Sequence, residues 1–202
     1  MTRNRLAALL LAPVAAASLS GCGINSIPTA EENVKARWAD VETDFQRRAN
    51  LIPNIVATVK GAAGSEQQIL VGVTQARADA TKIQVSGDQL SDPAAMQRFS
   101  EAQNRLTLSL QRLQEAYPQL QSQGNFKTLI TELESAENRI AIAIRDYNAA
   151  VQAYNTRIRT FPDVIGAKVF YGAKPKVPYQ ATTPNAQVAP TVSFDTNTAA
   201  GH

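Results

Sequence analysis

Histidine occurs once, at position 202, and cysteine once, at position 22. Structural zinc takes several nitrogen or sulfur ligands, and nucleophilic triads need an imidazole beside the nucleophile, so both chemistries are nearly excluded. An internal disulfide has no second thiol to use. Aromatic residues make up only 6% of the chain, whereas Ala, Gln, Leu, Ile, Val, Arg and Glu abound, a palette that favours helices over sheets. An excess of one charge is missing too. The formal charge is +3, but Arg3 and Arg5 precede residue 22, and from there on 18 basic side chains stand against 17 acidic ones. Such a near-neutral chain has no electrostatic footprint for nucleic acid, and that partner class is dropped. No apolar run reaches the roughly 20 residues of a membrane-spanning helix.

What is present begins with a leader. Arg3 and Arg5 are followed by an apolar stretch over residues 6–19, interrupted by Pro13 and ending in Ser20 and Gly21. Positive start, short apolar centre and small-residue end are the layout of a secretory signal, expected to be removed as residues 1–21. Leu19-Ser20-Gly21-Cys22 looks like the bacterial lipobox. A thiol deprotonates at accessible pH and attacks a diacylglyceryl donor, while small Ser20 and Gly21 leave the adjacent peptide bond open to a peptidase. Cys22 is therefore the expected lipidation site, and more than one acyl chain would hold the protein on a membrane. Gly23 rather than Asp follows it, which in enterobacteria-like envelopes goes with outer-membrane sorting, on the periplasmic face. An uncleaved signal anchor is the alternative.

With 202 residues the chain has the length of one domain. Residues 22–28 read as a lipidated tether. Thr29 and Glu32 form a capping-box pattern that opens helix one, whose stripe is Val34, Trp38, Val41, Phe45, Ile52, Ile55 and Val59. Pro53 kinks or breaks it, and Gly61 and Gly64 end it. Ser65 and Gln68 open helix two, which Ser86-Gly87-Asp88 stops. Asp92-Pro93 starts helix three, lined by Met96, Phe99, Leu106, Leu110, Leu113 and Tyr117 with Gln103 as a polar intruder. Helix four runs from Phe126 to Ile158 in steps of three and four, and Phe161-Pro162 ends it. The expected fold is all-α, an antiparallel up-down four-helix bundle with two long and two shorter helices over residues 29–171. In that topology the chain enters and leaves at one end, and the loops at 61–65 and 118–125 meet at the other. From 172 to 202 scattered prolines among Ala, Thr and Asn read as a flexible tail, with Val164, Ile165, Val169 and Phe170 as candidates to cap the open end.

Few residues offer chemistry. Glu132, Glu134 and Glu137 could serve as an acid/base pair or metal site, but ion pairing with Arg139 is the simpler reading. Tyr147-Asn148 and Tyr154-Asn155 repeat at seven residues; they read either as a binding ladder or, preferably, as core tyrosines with asparagines fixing helix register. For Arg47-Arg48 a pair with Glu42 or Glu137 is preferred to lipid or partner binding. Asn50, Pro53 and Asn54, with Gln119 and Asn125 of the following loop, form a candidate partner surface, since a helical proline costs about 3 kcal/mol and needs an offset. No cofactor or metal is expected, and no enzymatic activity; an envelope hydrolase is the alternative class.

Three stretches, "RRANLIPNIVATVKG" at 47–61, "YPQLQSQGNFKTLITELESAENRI" at 117–140 and "YNAAVQAYNTRIRTFP" at 147–162, occur in the order and with the separations of the LemA family. The sequence resembles that family from about residue 31 to about residue 171. The resemblance implies an extracytoplasmic helical bundle with an N-terminal membrane anchor and no established enzymatic activity. Some members of the family are encoded beside TPM-domain membrane proteins and some act in magnetosome formation, which implies a scaffold or adaptor with an envelope protein as partner. Ala62 and Ser65 stand where relatives carry an aromatic residue and a histidine, and a lipobox replaces the transmembrane segment of many relatives.

Overall fold

The computed structural model describes residues 25–63, 67–122 and 124–181, and among them there is no strand. Four helices account for most of these residues: α1 (Ser26–Ala63), α2 (Gln67–Lys82), α3 (Pro93–Ala116) and α4 (Gly124–Arg157). They divide as expected into two long helices, of 38 and 34 residues, and two shorter ones, of 16 and 24. A 3-10 turn, Gly87–Ser91, precedes α3, and another, Pro118–Ser122, follows it. Beyond α4 lie a single turn, α5 (Asp163–Gly166), and a π turn, Ala167–Tyr171.

Helix α1 starts earlier than the capping-box pattern implies. Thr29 lies inside it, its hydroxyl donating to the Asn25 carbonyl at 2.8 Å, and Glu32 pairs with Lys35 at 2.7 Å instead of reaching back. The tether therefore ends by Asn25 rather than at residue 28, and its residues 22–24 lie outside those described. Two tertiary contacts explain the shift: Ser26 Oγ donates to Asp163 at 2.8 Å, and Ile27 is buried in the core. Pro28 falls in the first turn, where no intrahelical partner for an N–H exists. At α3 the sequence reading holds, with Asp92 accepting from the Ala94 N–H at 2.9 Å ahead of Pro93. The residue expected to open α2, Ser65, lies outside the described residues.

Pro53 does not break α1. A proline at 53 has no N–H for the carbonyl of residue 49, which would otherwise lose its partner. Arg77 of α2 supplies one, its Nε donating to the Ala49 oxygen at 2.8 Å. The cost of the proline is offset from a neighbouring helix.

Tertiary contacts show which parts of the helices meet. Ser26 meets Asp163, and Arg48 meets Glu137 halfway along, so α1 and α4 are antiparallel. Trp38 Nε1 donates to the Val85 carbonyl at 2.8 Å and Arg77 reaches Ala49, so α2 descends along α1. Gln103 of α3 donates to the Ala80 carbonyl of α2 at 3.2 Å, which joins those two helices. The start of α1 and the end of α4 thus share one end, here called the base. At the other end Val59, Leu120 and Phe126 share one apolar cluster.

The core has two parts. Near the base it is aromatic: Trp38 lies 5.2 Å from Phe99 and 5.1 Å from Tyr147, and Phe45 lies 5.3 Å from Phe99. Toward the far end it is aliphatic, built on Ile52, Ile55, Leu106, Leu110 and Leu113. Arg48 sits between the two.

The expected flexible tail is corrected at its beginning. Residues 172–181 do not hang free: Lys176 and Tyr179 are buried, and the segment packs extended against the body. Residues 182–202 lie outside those described. The expected apolar cap is corrected too. Gly166 and Ala167 make the inward contact, 3.5 Å from Ile27 for a Cβ built on Gly166, while Ile165, Val169 and Phe170 face solvent. Val164 is half-buried, and Gly166 and Ala167 are the buried residues of the turn.

Candidate functional site

The two Tyr-Asn pairs of α4 are where the chain does something specific. Asn155 accepts from the Lys176 N–H and donates to the Lys176 carbonyl, both at 2.8 Å. Asn148 does the same to Tyr179, accepting at 2.8 Å and donating at 3.0 Å. Each carboxamide thus binds both main-chain polar groups of one residue. The spacing fits because seven helical residues rise about 10.5 Å and three extended ones about 10 Å. Tyr147 donates to the Val177 carbonyl at 2.8 Å, Val177 N–H donates to Leu90 at 2.8 Å, and Ser100 donates to Gln180 at 2.6 Å. An extended strap is therefore read along its backbone by α3, α4 and the turn before α3.

Two side chains give the strap identity. Lys176 Nζ pairs with Glu31 at 2.8 Å and lies 5.9 Å from the Tyr154 ring centre. Tyr179 packs 6.1 Å from Phe45 and 6.3 Å from Phe99. Pro175 and Pro178 precede the two clamped residues and bias Lys174 and Val177 toward extended backbone. The prolines that suggested disorder instead stiffen a docked segment. Burial pushes the Tyr154 hydroxyl up to about 12, the Glu31 carboxylate adding to it. Burial also raises Tyr147 and Tyr179, in the latter against the Ser100 hydrogen bond and the Arg48 charge. The asparagines do form a ladder, but its rungs hold this chain's own backbone.

A second polar constellation divides the core. Arg48 is 1% exposed, and its guanidinium donates to Glu137 at 2.8 Å, Thr107 at 2.9 Å and the Gln103 side chain at 2.7 Å. It also lies 5.0 Å from the Phe45 ring centre. Gln103, the polar intruder of α3, is explained by this contact and by its bond to Ala80. Of the preferred partners for the Arg47-Arg48 pair, Glu137 takes Arg48, while Arg47 lies 3.8 Å from Asp44. The simpler reading of the helix-four carboxylates changes accordingly: Glu137 binds Arg48, and Arg139 donates to Ser135 at 3.1 Å. The seven-residue gap between Phe45 and Ile52, in a stripe otherwise stepping by three and four, is the sequence signal that marks position 48.

The proposed partner-surface residues are distributed along the molecule. Asn50, Pro53 and Asn54 are exposed on α1, with Asn50 accepting from Gln46 at 2.9 Å. Asn50 lines a cleft of about 560 Å³ with Thr81, Gln84 and Glu42, a cleft that neither Gln119 nor Asn125 lines. Burial raises the Glu42 carboxyl there, opposed by a backbone hydrogen bond from Val85. Gln119 and Asn125 are exposed near the far end, in the turn after α3 and the first turn of α4. Cys22 lies outside the described residues. Among those residues no helix is long and apolar enough to cross a membrane, and no three His, Cys, Asp or Glu side chains gather as a metal site.

Long antiparallel helices, a buried arginine layer and a strap clamped by two asparagines define a helical protein whose own tail completes its fold. This architecture goes with a match to the LemA family model over residues 37–194, and the chain belongs to the LemA family. Its relatives include magnetosome proteins MamQ 1 and MamQ 2 of Paramagnetospirillum magneticum, each 28% identical over 161 residues and matching 68% of this chain. Magnetosome protein MamQ of Magnetospirillum gryphiswaldense is 27% identical over 157 residues. The match spans 58% of the length of each of these relatives. The family match extends past residue 181 and so includes the strap.

Proposed function

We propose that this LemA-family protein is an extracytoplasmic lipoprotein of a bacterial envelope, anchored through lipid on Cys22, that acts as a non-catalytic scaffold for other envelope proteins. In this reading the two long and two shorter helices stand as an antiparallel up-down bundle on the membrane. The observation that carries it is the position of the lone cysteine: the lipobox ends at residue 22, and α1 begins at Ser26. A linker of three residues spans at most about 10 Å, so the lipid would hold the base against the bilayer. Magnetosome proteins among the relatives accord with a membrane setting, and the exposed Asn50, Asn54, Gln119 and Asn125 offer polar contacts for a partner, a TPM-domain membrane protein being one candidate.

The intact mass of membrane-extracted protein tests the anchor. Loss of residues 1–21 together with an added diacylglyceryl mass is expected, and Cys22→Ser should abolish both. An unmodified, full-length mass would replace the lipid anchor by an uncleaved signal anchor. Cross-linking in native membranes tests the scaffold role, with a defined envelope neighbour expected and none recovered arguing against it.

A further inference from the structure

Among the described residues eight large apolar side chains are exposed, and five of them fall within residues 161–171. Phe161 is 79% exposed, Val169 70%, Phe170 66% and Ile165 55%, with Tyr171 beside them. This is not the scatter expected of single surface hydrophobes. Ile165 and Val169 lie four residues apart in the helical segment that begins at Asp163, and Phe161 stands in the turn just before it. Gly166 and Ala167 face the opposite way, onto Ile27. The segment therefore lies across the base with its small residues inward and its large ones outward.

The charges around it are mostly of one sign. Arg159, Lys168 and Lys174 are exposed in and beside the segment. The one acidic residue between positions 157 and 174, Asp163, is occupied by Arg157 at 3.4 Å and by Ser26 at 2.8 Å. Those same contacts bring the start of α1 to the patch: Arg157 also donates to the Ser26 carbonyl at 3.1 Å. The 24 residues preceding the described chain, which include the apolar stretch at 6–19 and Cys22, thus join it beside this surface.

Resting on the anchor reading above, we propose that the exposed face of residues 161–171 docks on the bilayer surface. Phe161, Ile165, Val169 and Phe170 enter the interface, and Arg159, Lys168 and Lys174 meet anionic headgroups. Aromatic and aliphatic side chains flanked by snorkelling cations suit the boundary between headgroups and acyl chains. One attachment through a three-residue linker would leave the body free to tilt; a second, broad contact beside it fixes the helices upright.

The test uses the full-length chain isolated from membranes and reconstituted in phosphatidylglycerol vesicles carrying brominated acyl chains. Tryptophan is introduced by Phe170→Trp, or by Gln119→Trp at the far end, with buried Trp38 as common background. Quenching at position 170 and none at 119 is expected, with loss of the quenching in an Ile165→Asp/Val169→Asp variant whose helicity and melting are unchanged. Weaker quenching in zwitterionic phosphatidylcholine would report the cationic rim. Vesicle-bound protein with position 170 unquenched overturns the proposal while leaving the anchor intact, and would mean that something other than lipid covers the patch. Quenching at position 170 in protein whose Cys22 carries no added mass would support the patch and sink the lipid anchor. No association with vesicles at all overturns both.

Discussion

The two halves of the molecule on either side of Arg48 are built differently. The far half is mainly aliphatic and is built from the four helices and the turn after α3: Ile52 and Ile55 of α1 share a cluster with Leu70 of α2, Leu110 of α3 and Leu133 of α4. The basal half is aromatic and is finished by residues from distant parts of the sequence: Tyr179 packs on Phe45, and Lys176 pairs with Glu31. Consecutive helices carry a low loop-closure cost, whereas a strap that closes on α1 from more than 130 residues away adds its contacts only once the body exists. The far half takes nothing from the strap, whereas the basal half includes Tyr179.

The arginine layer decides whether these are two halves or one. Arg48→Ala would leave Glu137 and Gln103 without their buried partner and open a cavity, so a loss of about 3–4 kcal/mol is expected, read from the urea midpoint. Separate transitions for the halves would accompany it, and a single unshifted transition would refute the bridging role. Next in size comes the strap. Asn148→Ala and Asn155→Ala each remove two part-buried hydrogen bonds, about 2 kcal/mol apiece, and hydrogen exchange should accelerate at residues 176–180 and the base but not around Leu110. Uniform acceleration would make the halves inseparable.

Smaller again is the proline repair. Arg77→Ala should cost about 1 kcal/mol in the native chain but less in a Pro53→Ala background, where residue 53 regains an N–H for the Ala49 carbonyl. Equal costs in both backgrounds would show that Arg77 acts elsewhere. The last effect shows only at alkaline pH. Tyr147, Tyr154 and Tyr179 have folded values raised above the ordinary 10, so the folded state prefers their neutral form. The stability this gives is complete below pH 10 and is lost as pH climbs past it, through about 12 for Tyr154. Alkaline titration followed by near-ultraviolet absorbance and exchange should open the basal half first. Simultaneous opening of both halves would contradict the division.

The helices were legible because burial along a helix imposes a three-and-four rhythm, and α3 even shows its Asp92-Pro93 start. The end-to-end meeting of α1 and α4 followed from short connections. Less visible was anything that depends on a backbone partner. The strap has no period of its own, and its two prolines carry the same letters as a disordered linker. Its register is written on α4, in asparagines whose partners lie 21 and 31 residues away. The beginning of α1 was misplaced for a similar reason, since Ile27 and Ser26 are fixed by the base and not by their neighbours. For the candidate partner surface, Asn50 lines a cleft that Gln119 and Asn125 do not, and Pro53 owes its tolerance to Arg77.

The alternation of proline with each clamped residue has a bearing on fidelity. If the segment slid by one residue in one direction, Pro175 and Pro178 would face the two carboxamides, and neither has an N–H to offer. A slip the other way would seat Val177 and Gln180 there and swing the Tyr179 ring out of its aromatic nest. The first error fails at both rungs together and the second misplaces the buried side chains, so the clasp has a single correct setting.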